Sequence, residues 1–328
     1  MSPPPAVAAR LESSSEPAPE EKSVKQPAPN RVDRPFKGVA LVVLSTLCFG
    51  TSDVTSKYLA ASLPSIEITW IRFLVFVVIM SPAMLPGTPL YAMRTERLGL
   101  QLARGVGVLG SAIFFITGLR FLPVAEASAT AFVSPLFVTA LSIVFLGEKV
   151  GVRRWIATAV GLFGVLIILR PGTSAFHLAA LFPVASAFSW ASTLVLTRMM
   201  SGRETILTTM AYSAVVGLVV LTAMVPFVWV APTGREIFFG IVVGVASTMG
   251  NGIVVLAYRY GDASVLAPFS YIQLLWVSIL GFFVFGALPD IWTITGAAFV
   301  VASGLYIAHR ERVRRSQLLA VERSSPNA

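Results

Sequence analysis

The most regular feature of the chain is a succession of long apolar runs separated by short polar segments. About 20 apolar residues in a helix cross a bilayer core of roughly 30 Å, and every backbone N–H and C=O within the lipid needs a partner inside the segment. The pattern therefore predicts about ten membrane-spanning helices. They are expected at residues 38–59, 66–85, 105–119, 124–146, 155–169, 176–197, 205–230, 237–258, 264–287 and 291–308.

Lysine and arginine are unevenly distributed among the segments that join these runs. Every second segment carries a cluster of them, and the intervening segments carry few. Such a bias marks cytoplasmic loops, so both termini are expected in the cytoplasm of a multi-pass protein of the cell inner membrane. The clusters are Arg31, Arg34 and Lys37; Arg94, Arg97 and Arg104; Lys149, Arg153 and Arg154; Arg198 and Arg203; Arg259; and Arg310, Arg312, Arg314 and Arg315.

The composition agrees with a membrane location and explains the basic character of the chain. Hydrophobic residues make up 55% of it and charged residues 12%, and the mean hydropathy is +0.79. A net charge of +9 would suggest a nucleic-acid partner in a soluble protein. Here the charges lie in loops and tails, so no nucleic-acid partner is expected. Residues 1–36 are interpreted as a disordered cytoplasmic tail because they contain almost no large apolar side chains. Residues 311–328 are interpreted as a basic cytoplasmic tail.

The two halves of the chain resemble each other when one is shifted by about 140 residues. Lys57 then lies over Arg198, Phe49 lies over Trp190, and residues 134–147 lie over residues 273–286. The halves, residues 37–171 and 175–310, each contain five predicted helices. Because five is odd, the second half is expected to cross the membrane in the opposite sense, as inverted repeats of transporters do. The expected fold class is all-α integral membrane, with two inverted five-helix repeats.

The first half also resembles a known family. Residues 122–151 read LPVAEASATAFVSPLFVTALSIVFLGEKVG, and GLFGVLIILRPG follows at residues 161–172. These segments are similar to the EamA-type branch of the drug/metabolite transporter superfamily. The second half departs from this pattern, since residues 286–289 read Gly-Ala-Leu-Pro where the first half has Gly-Glu-Lys-Val.

The resemblance implies a ten-helix carrier of amino acids, nucleotides, vitamins, amines or drugs, driven by proton coupling or by exchange. Some members with similar first halves import riboflavin or S-adenosylmethionine, and others export amino acids, so the direction of transport stays open. The expected partners are a small-molecule substrate and membrane lipids, for a monomer or a homodimer. A broad-specificity efflux pump and, less favoured, a channel are the alternatives.

Ionisable side chains inside the predicted spans are the first candidates for a functional site, because charge within lipid is costly. Asp53 and Lys57 lie one helical turn apart, so they either pair with each other or bind a charged or zwitterionic substrate or relay a proton. Arg72 needs an anionic partner or a watery cavity. It either serves as a gate or as a contact for a substrate carboxylate, or it forms an interfacial pair for which Glu67 is one candidate. Glu126 begins the fourth helix, where it either complements the helix N-terminus or takes part in proton coupling.

Uncharged aromatic and amide side chains in the second half are the other candidates. Together they would line a pocket suited to a planar or cationic ligand, although each is also compatible with simple helix packing. Amides in lipid must find partners, which favours Asn251 and Gln273 for the bundle interior. The set comprises Trp190, Tyr212, Asn251, Tyr258, Tyr271, Gln273 and Trp276.

Small residues and prolines predict how the helices approach one another. Pro135 lies inside the fourth predicted helix and is expected to kink it. Glycines of the third and eighth helices are expected to permit close helix contacts. They are Gly105, Gly107, Gly110, Gly240, Gly244, Gly250 and Gly252.

An enzyme is not expected. The two histidines, His177 and His309, fall at the ends of predicted spans, and the chain lacks the residue spacings of metal, phosphate-binding and serine-nucleophile motifs. No cofactor or metal site is predicted.

Overall fold

The computed structural model describes residues 35–87, 91, 93–147, 152–170, 178–200, 204–257, 260 and 266–324. These residues form α-helices with short 3-10 turns, and no β-strand lies among them. The expected disordered tail falls outside these ranges, apart from Pro35 and Phe36, which begin the first helix.

The helices are numbered here in chain order. They are α1 (Pro35–Leu59), α2 (Ser65–Met84), α3 (Leu98–Phe121), α4 (Val124–Ala131), α5 (Ser134–Leu146), α6 (Val152–Leu169), α7 (Leu181–Met199), α8 (Ile206–Met224), α9 (Gly234–Ala257), α10 (Ile272–Phe285) and α11 (Ile291–Ser324). The 3-10 turns lie at Leu178–Ala180, Val225–Phe227 and Ala267–Tyr271.

The described residues contain seven helical segments long and apolar enough to cross a bilayer, and three shorter apolar helices lie at other predicted spans. Large apolar side chains cover the outside of the bundle; Phe283, for example, is 78% exposed. An outer surface of this kind requires lipid rather than water around it. The chain therefore folds as an all-helical membrane protein.

The fourth predicted helix is broken in the structure rather than continuous from residue 124 to 146. α4 ends at Ala131, and the backbone turns at Phe132 and Val133 before α5 begins. Pro135 lies in the first turn of α5, a position where its missing N–H leaves no hydrogen bond unmade. In the second half the 3-10 turn at Ala267–Tyr271 precedes α10 in the same way. Both repeats therefore interrupt their fourth helix.

Two glycines end the helices that follow these breaks. Gly147 after α5 has φ 64° and Gly286 after α10 has φ 67°, the left-handed conformation that glycine adopts most readily. The sequence alignment that places residues 134–147 over 273–286 thus corresponds to the same local structure in both halves.

The last helix is longer than the hydrophobic pattern predicts. α11 continues past the expected end at residue 308 to Ser324, so most of the expected basic tail at 311–328 is helical. Arg, Gln, Leu, Ala and Glu dominate this segment, and all of them have high helix propensity. Loss of hydrophobicity ends the expected membrane span but does not end the helix.

The packing of the helices repeats between the two halves. α1 packs on α9 and α10, and its counterpart α7 packs on α3 and α5. α2 packs on α9, and its counterpart α8 packs on α3. The remaining large contacts, α2 with α8 and α6 with α11, join counterparts to each other. Exchanging the two halves therefore maps each main contact onto another, as a pseudo-twofold arrangement requires.

Matched glycine contacts show the same relationship at the level of residues. A methyl group added to Gly105 would lie 2.7 Å from Cβ of Val216, and one added to Gly244 would lie 2.5 Å from Cβ of Val75. The expected close helix contacts are confirmed for these glycines, whereas Gly252 has nothing within 4 Å of its added methyl position. The other expected glycines also make close contacts; they are Gly107, Gly110, Gly240 and Gly250.

Candidate functional site

A cavity of about 230 Å³ lies between helices of both halves. α1 to α5 contribute from the first half, and α7, α9 and α10 contribute from the second. Five of the residues singled out from the sequence line it together: Asp53, Arg72, Trp190, Asn251 and Gln273. These five residues lie on five different predicted spans, so it is the packing of the helices that brings them to one cavity.

The acidic group of the cavity is bound by the opposite half of the protein. Gln273 Nε2 donates a hydrogen bond of 2.9 Å to Asp53 Oδ2. This contact follows from the packing of α10 on α1, which brings residues 220 positions apart in sequence side by side. The amide therefore holds the carboxylate at the junction of the two halves.

The basic group of the cavity has no direct partner among the residues that the structure describes. Arg72 is half-buried, and within the described ranges its guanidinium makes neither a hydrogen bond nor an ion pair of 4.0 Å or less. Asp53 attracts it across the cavity. Glu67, the expected candidate partner, instead accepts a 3.1 Å hydrogen bond from the backbone N–H of Val230. The expected pairing of Arg72 with Glu67 is therefore wrong, because the chain after α8 binds the glutamate.

Aromatic rings line the walls of the cavity around these charges. Phe49 and Trp190, which the repeat alignment superposes, both line it, together with Phe115 and Phe132. Asn251 donates to the carbonyl of Ser247 on its own helix, at 2.9 Å. The site thus combines aromatic faces and amides with one positive and one negative charge.

Each half of the chain matches the same protein family. The EamA-like transporter family matches residues 36–170 and again residues 177–308. The chain belongs to the EamA-like transporter family. The resemblance seen in the sequence is thereby confirmed, and the repeated match corresponds to the repeated packing of the helices.

Three similar proteins are transporters, and in each case the similarity extends along most of both chains. An S-adenosylmethionine uptake transporter of Rickettsia felis is 28% identical, over 85% of this chain and 95% of the relative. A riboflavin transporter of Vibrio cholerae is 28% identical, over 87% and 98%. A pseudopaline exporter of Pseudomonas aeruginosa is 27% identical, over 84% and 97%. This EamA protein is therefore a transporter of small metabolites and not an enzyme.

A solved crystal structure shares the fold. It superposes on this chain with a TM-score of 0.58, covers 82% of this chain and 96% of its own, and is 19% identical in sequence. At this level of identity the likeness concerns architecture alone.

Lys57 of this EamA protein does not pair with Asp53, in contrast to one expectation. Lys57 Nζ donates to the carbonyl oxygens of Leu119, at 2.6 Å, and Leu122, at 2.9 Å. These carbonyls lie at the C-terminal end of α3, where backbone acceptors are free and the helix dipole favours a cation. Lys57 therefore joins α1 to the end of α3, and it borders a separate cavity of about 260 Å³.

The other four expected site residues that the structure describes lie outside the lining of the central cavity. Glu126 lies in the first turn of α4. The hydroxyl of Tyr212 donates to the carbonyl of Met93 at 3.0 Å, and Trp276 Nε1 donates to Thr51 Oγ1 at 3.2 Å. The ring of Tyr271 packs on that of Phe132. Tyr258 lies outside the described residues. Tyr212 thus contacts the segment before α3, Trp276 contacts α1, and Tyr271 contacts the turn after α4.

Arg104 is a polar residue whose position the sequence interpretation missed. The sequence predicts that the third span begins at residue 105, with Arg104 in the loop before it. In the structure α3 begins at Leu98 and includes Arg104. Inside the helix its guanidinium donates to Thr197 Oγ1 at 2.7 Å and to the carbonyl of Thr209 at 3.0 Å, and it also bonds Ser213 Oγ. All three partners belong to the second half. Arg104 therefore connects α3 with α7 and α8.

A second missed group surrounds Glu204. Its carboxylate accepts hydrogen bonds from Thr95 Oγ1 at 2.7 Å, from the backbone N–H of Glu96 at 3.0 Å and from Gln101 Nε2 at 3.2 Å. These four residues, named here the Glu204 cluster, join the start of α3 and the segment before it to the segment before α8. A glutamate in a short loop carries no sequence signal for such a contact, because its partners are about 100 residues away.

Proposed function

We propose that this EamA protein is a secondary transporter that works by alternating access and binds its small-metabolite substrate in the central cavity. The observation that supports this proposal is that residues of both halves line the cavity. They are Asp53 and Arg72 from the first half and Trp190, Asn251 and Gln273 from the second. A ligand bound between two units that rock against each other is exposed to one side of the membrane at a time.

The proposed topology is ten spans in two inverted five-helix units, with both termini in the cytoplasm and the protein in the inner membrane. The exchange symmetry of the helix contacts supports two equivalent units, and an odd number of spans in each would invert the second. The basic residues in alternate loops support the assignment of sides.

The proposed substrate carries a planar ring beside its polar groups. Trp190, Phe49 and Phe115 offer aromatic faces for a ring to pack against. S-adenosylmethionine and riboflavin, named for two of the relatives, both contain planar ring systems, and each is a suitable first ligand to test.

Contacts between the halves at each end of the bundle support a gating mechanism. At one end, the Glu204 cluster and the hydrogen bonds of Arg104 join the halves. At the other end, Arg170 pairs with Asp290, and Ser62 bonds Glu236. In alternating access the contacts at one end would break while those at the other hold.

Counterflow in proteoliposomes tests the proposal. Vesicles containing the purified protein are loaded with unlabelled S-adenosylmethionine, riboflavin or an amino acid, and entry of the same labelled compound is measured. A carrier gives saturable entry that internal substrate accelerates. Trp190→Ala should reduce this flux at least about tenfold, because the ring loses its aromatic contact. The matched control is Trp155→Ala, since Trp155 is 50% exposed on the outside of the bundle.

Two results would contradict the proposal. Flux that neither saturates nor responds to internal substrate would indicate a channel. Equal flux in Trp190→Ala and Trp155→Ala would place the substrate elsewhere. Directional flux in vesicles of known orientation separates uptake from export, the two activities named among the relatives.

A further inference from the structure

We infer that the central cavity selects zwitterionic substrates, with the substrate carboxylate on Arg72 and its ammonium group on Asp53 and the neighbouring amides. The inference rests on the proposed function, since it assigns the head group of the ligand that binds in that cavity. It concerns the two charged side chains that the helices bring together without joining them.

Arg72 supplies the donors that a carboxylate requires. A guanidinium offers five N–H donors in a planar fork, which binds a carboxylate through two parallel hydrogen bonds. None of these donors is used by the protein within the described residues. The charge of a group that lines a cavity inside a membrane bundle must be met by protein, ligand or water, which makes Arg72 a candidate binding group.

Asp53 and the amides that line the same cavity supply the acceptors that an ammonium group requires. Gln273 Nε2 bonds one oxygen of Asp53, which leaves the second carboxylate oxygen and the Gln273 amide oxygen without a protein donor among the described residues. Asn251 uses its Nδ2 on Ser247, so its amide oxygen is likewise available. An ammonium group has three N–H donors, and these three oxygens match them in number.

The charge balance of the cavity favours a ligand without net charge. Asp53 and Arg72 carry one negative and one positive charge in a region of low dielectric, where an uncompensated charge is costly. A zwitterion meets both groups with opposite charges. A simple amine would leave Arg72 uncompensated, and a simple carboxylate would leave Asp53 uncompensated, so each should bind more weakly.

The test uses ligands that share one ring and differ only in the head group. L-tryptophan is the zwitterion, tryptamine lacks the carboxylate, and indole-3-propionate lacks the amine. S-adenosylhomocysteine and 5′-methylthioadenosine form a second pair of neutral thioethers, with and without the amino-acid group. Affinities are measured by calorimetry on the protein in nanodiscs. In at least one set the complete head group should bind about tenfold or more tightly than the truncated compounds.

Charge variants then assign each end of the head group. Arg72→Gln should weaken the zwitterion about tenfold and strengthen tryptamine, because the uncompensated positive charge is removed. Asp53→Asn should in the same way weaken the zwitterion and strengthen indole-3-propionate. Arg72→Lys keeps the charge without the planar fork and should lie between wild type and Arg72→Gln, which guards against a variant that does not fold. Arg120→Gln, on an exposed residue at the end of α3, is the matched control and should change nothing.

The outcomes separate this inference from the proposed function. If truncated compounds bind as well as zwitterions, or if the charge variants weaken all ligands equally, zwitterion selection is refuted. If Trp190→Ala still weakens the ligands in that case, the cavity remains the binding site and only the head-group assignment fails. If Trp190→Ala leaves every affinity unchanged, the cavity itself is not the site. Absence of binding in both ligand sets refutes the inference.

Discussion

The rings of Phe132 and Tyr271 pack against each other with centroids 5.0 Å apart, and the two residues occupy equivalent positions in the two halves of the chain. Counterparts in a twofold arrangement touch each other only where the axis passes. Phe132 also lines the central cavity. The pseudo-twofold axis therefore runs beside the proposed substrate site.

Close helix packing at the matched glycines should be sensitive to a single methyl group. We expect Gly105→Ala and Gly244→Ala each to reduce the free energy of unfolding by about 1 to 3 kcal/mol, because the new methyl groups meet Cβ atoms of Val216 and Val75. Thermal unfolding in detergent measures the effect. Gly252→Ala has open space around the added methyl and should be neutral or stabilising. Equal behaviour of all three variants would contradict the packing argument.

Lys57 should contribute to stability rather than to substrate recognition. Lys57→Met removes two hydrogen bonds from an ammonium group to the carbonyls of Leu119 and Leu122. We expect a loss of about 1.5 to 3 kcal/mol in unfolding free energy, with substrate affinity changed less than about twofold.

Lys57→Arg, which keeps the charge and donors, is the matched variant and should retain more of the stability. The opposite pattern, with unfolding unaffected and affinity lost, would return Lys57 to the binding site.

The Glu204 cluster should control access to the cavity from its end of the bundle. The assay uses Cys48→Ala, which removes the single native cysteine, together with Ser111→Cys in the cavity lining. In this background Glu204→Gln should raise the reaction rate of the new cysteine with a membrane-impermeant thiol reagent about fivefold, because charge-assisted hydrogen bonds are weakened.

Glu96→Gln provides the control for this experiment. Glu96 joins the cluster through its backbone N–H, and its side chain is exposed, so its neutralisation should leave the labelling rate unchanged. Identical rates in wild type and Glu204→Gln would show that the cluster does not limit access.

Asp290 should make a small stabilising contribution that depends on pH. Partial burial raises the pKa of this carboxyl, but hydrogen bonds from Thr293 and the charge of Arg170 outweigh it and lower the pKa below its ordinary value of 3.8. A carboxylate stabilised in this way contributes above its ordinary pKa, and the contribution is lost as the pH falls through the lowered pKa. Asp290→Asn should therefore melt at a lower temperature than wild type at pH 7.

The difference should be small, because the Asp290 side chain is 44% exposed and solvent screens the pair. It should shrink as the pH is lowered from 5 towards 3, and high salt should reduce it at pH 7. A melting-temperature difference that stays constant across this pH range would exclude the carboxylate charge as its source.

The sequence predicts the helices better than it predicts their partners. Hydrophobic runs locate the helical segments, and the shift of about 140 residues identifies the two halves because matched residues such as Phe49 and Trp190 keep equivalent places. Charged residues inside the spans mark a functional region, and Asp53 and Arg72 do line one cavity.

The group that a polar side chain binds depends on distances between residues that are far apart in the sequence. A local sequence pattern contains no information on these distances. Lys57 lies one turn from Asp53, yet the end of α3 provides its acceptors. Glu67 lies near Arg72 in sequence, but the backbone of Val230 binds it. In both cases a backbone group more than 60 residues away competes successfully with a neighbouring side chain.

The two repeats differ at the positions of the charged residues that line the central cavity. In the alignment that superposes Phe49 on Trp190, Asp53 falls over Leu194 and Arg72 falls over Ser213. In a carrier with inverted repeats, the two access states differ by an exchange of conformation between the halves. These states would be equal in energy only if the halves were chemically alike. They are not alike at these two positions, so in the proposed alternating-access cycle we expect one of the two states to be favoured. Moving this charged pair to the positions of Leu194 and Ser213 should change which state that is.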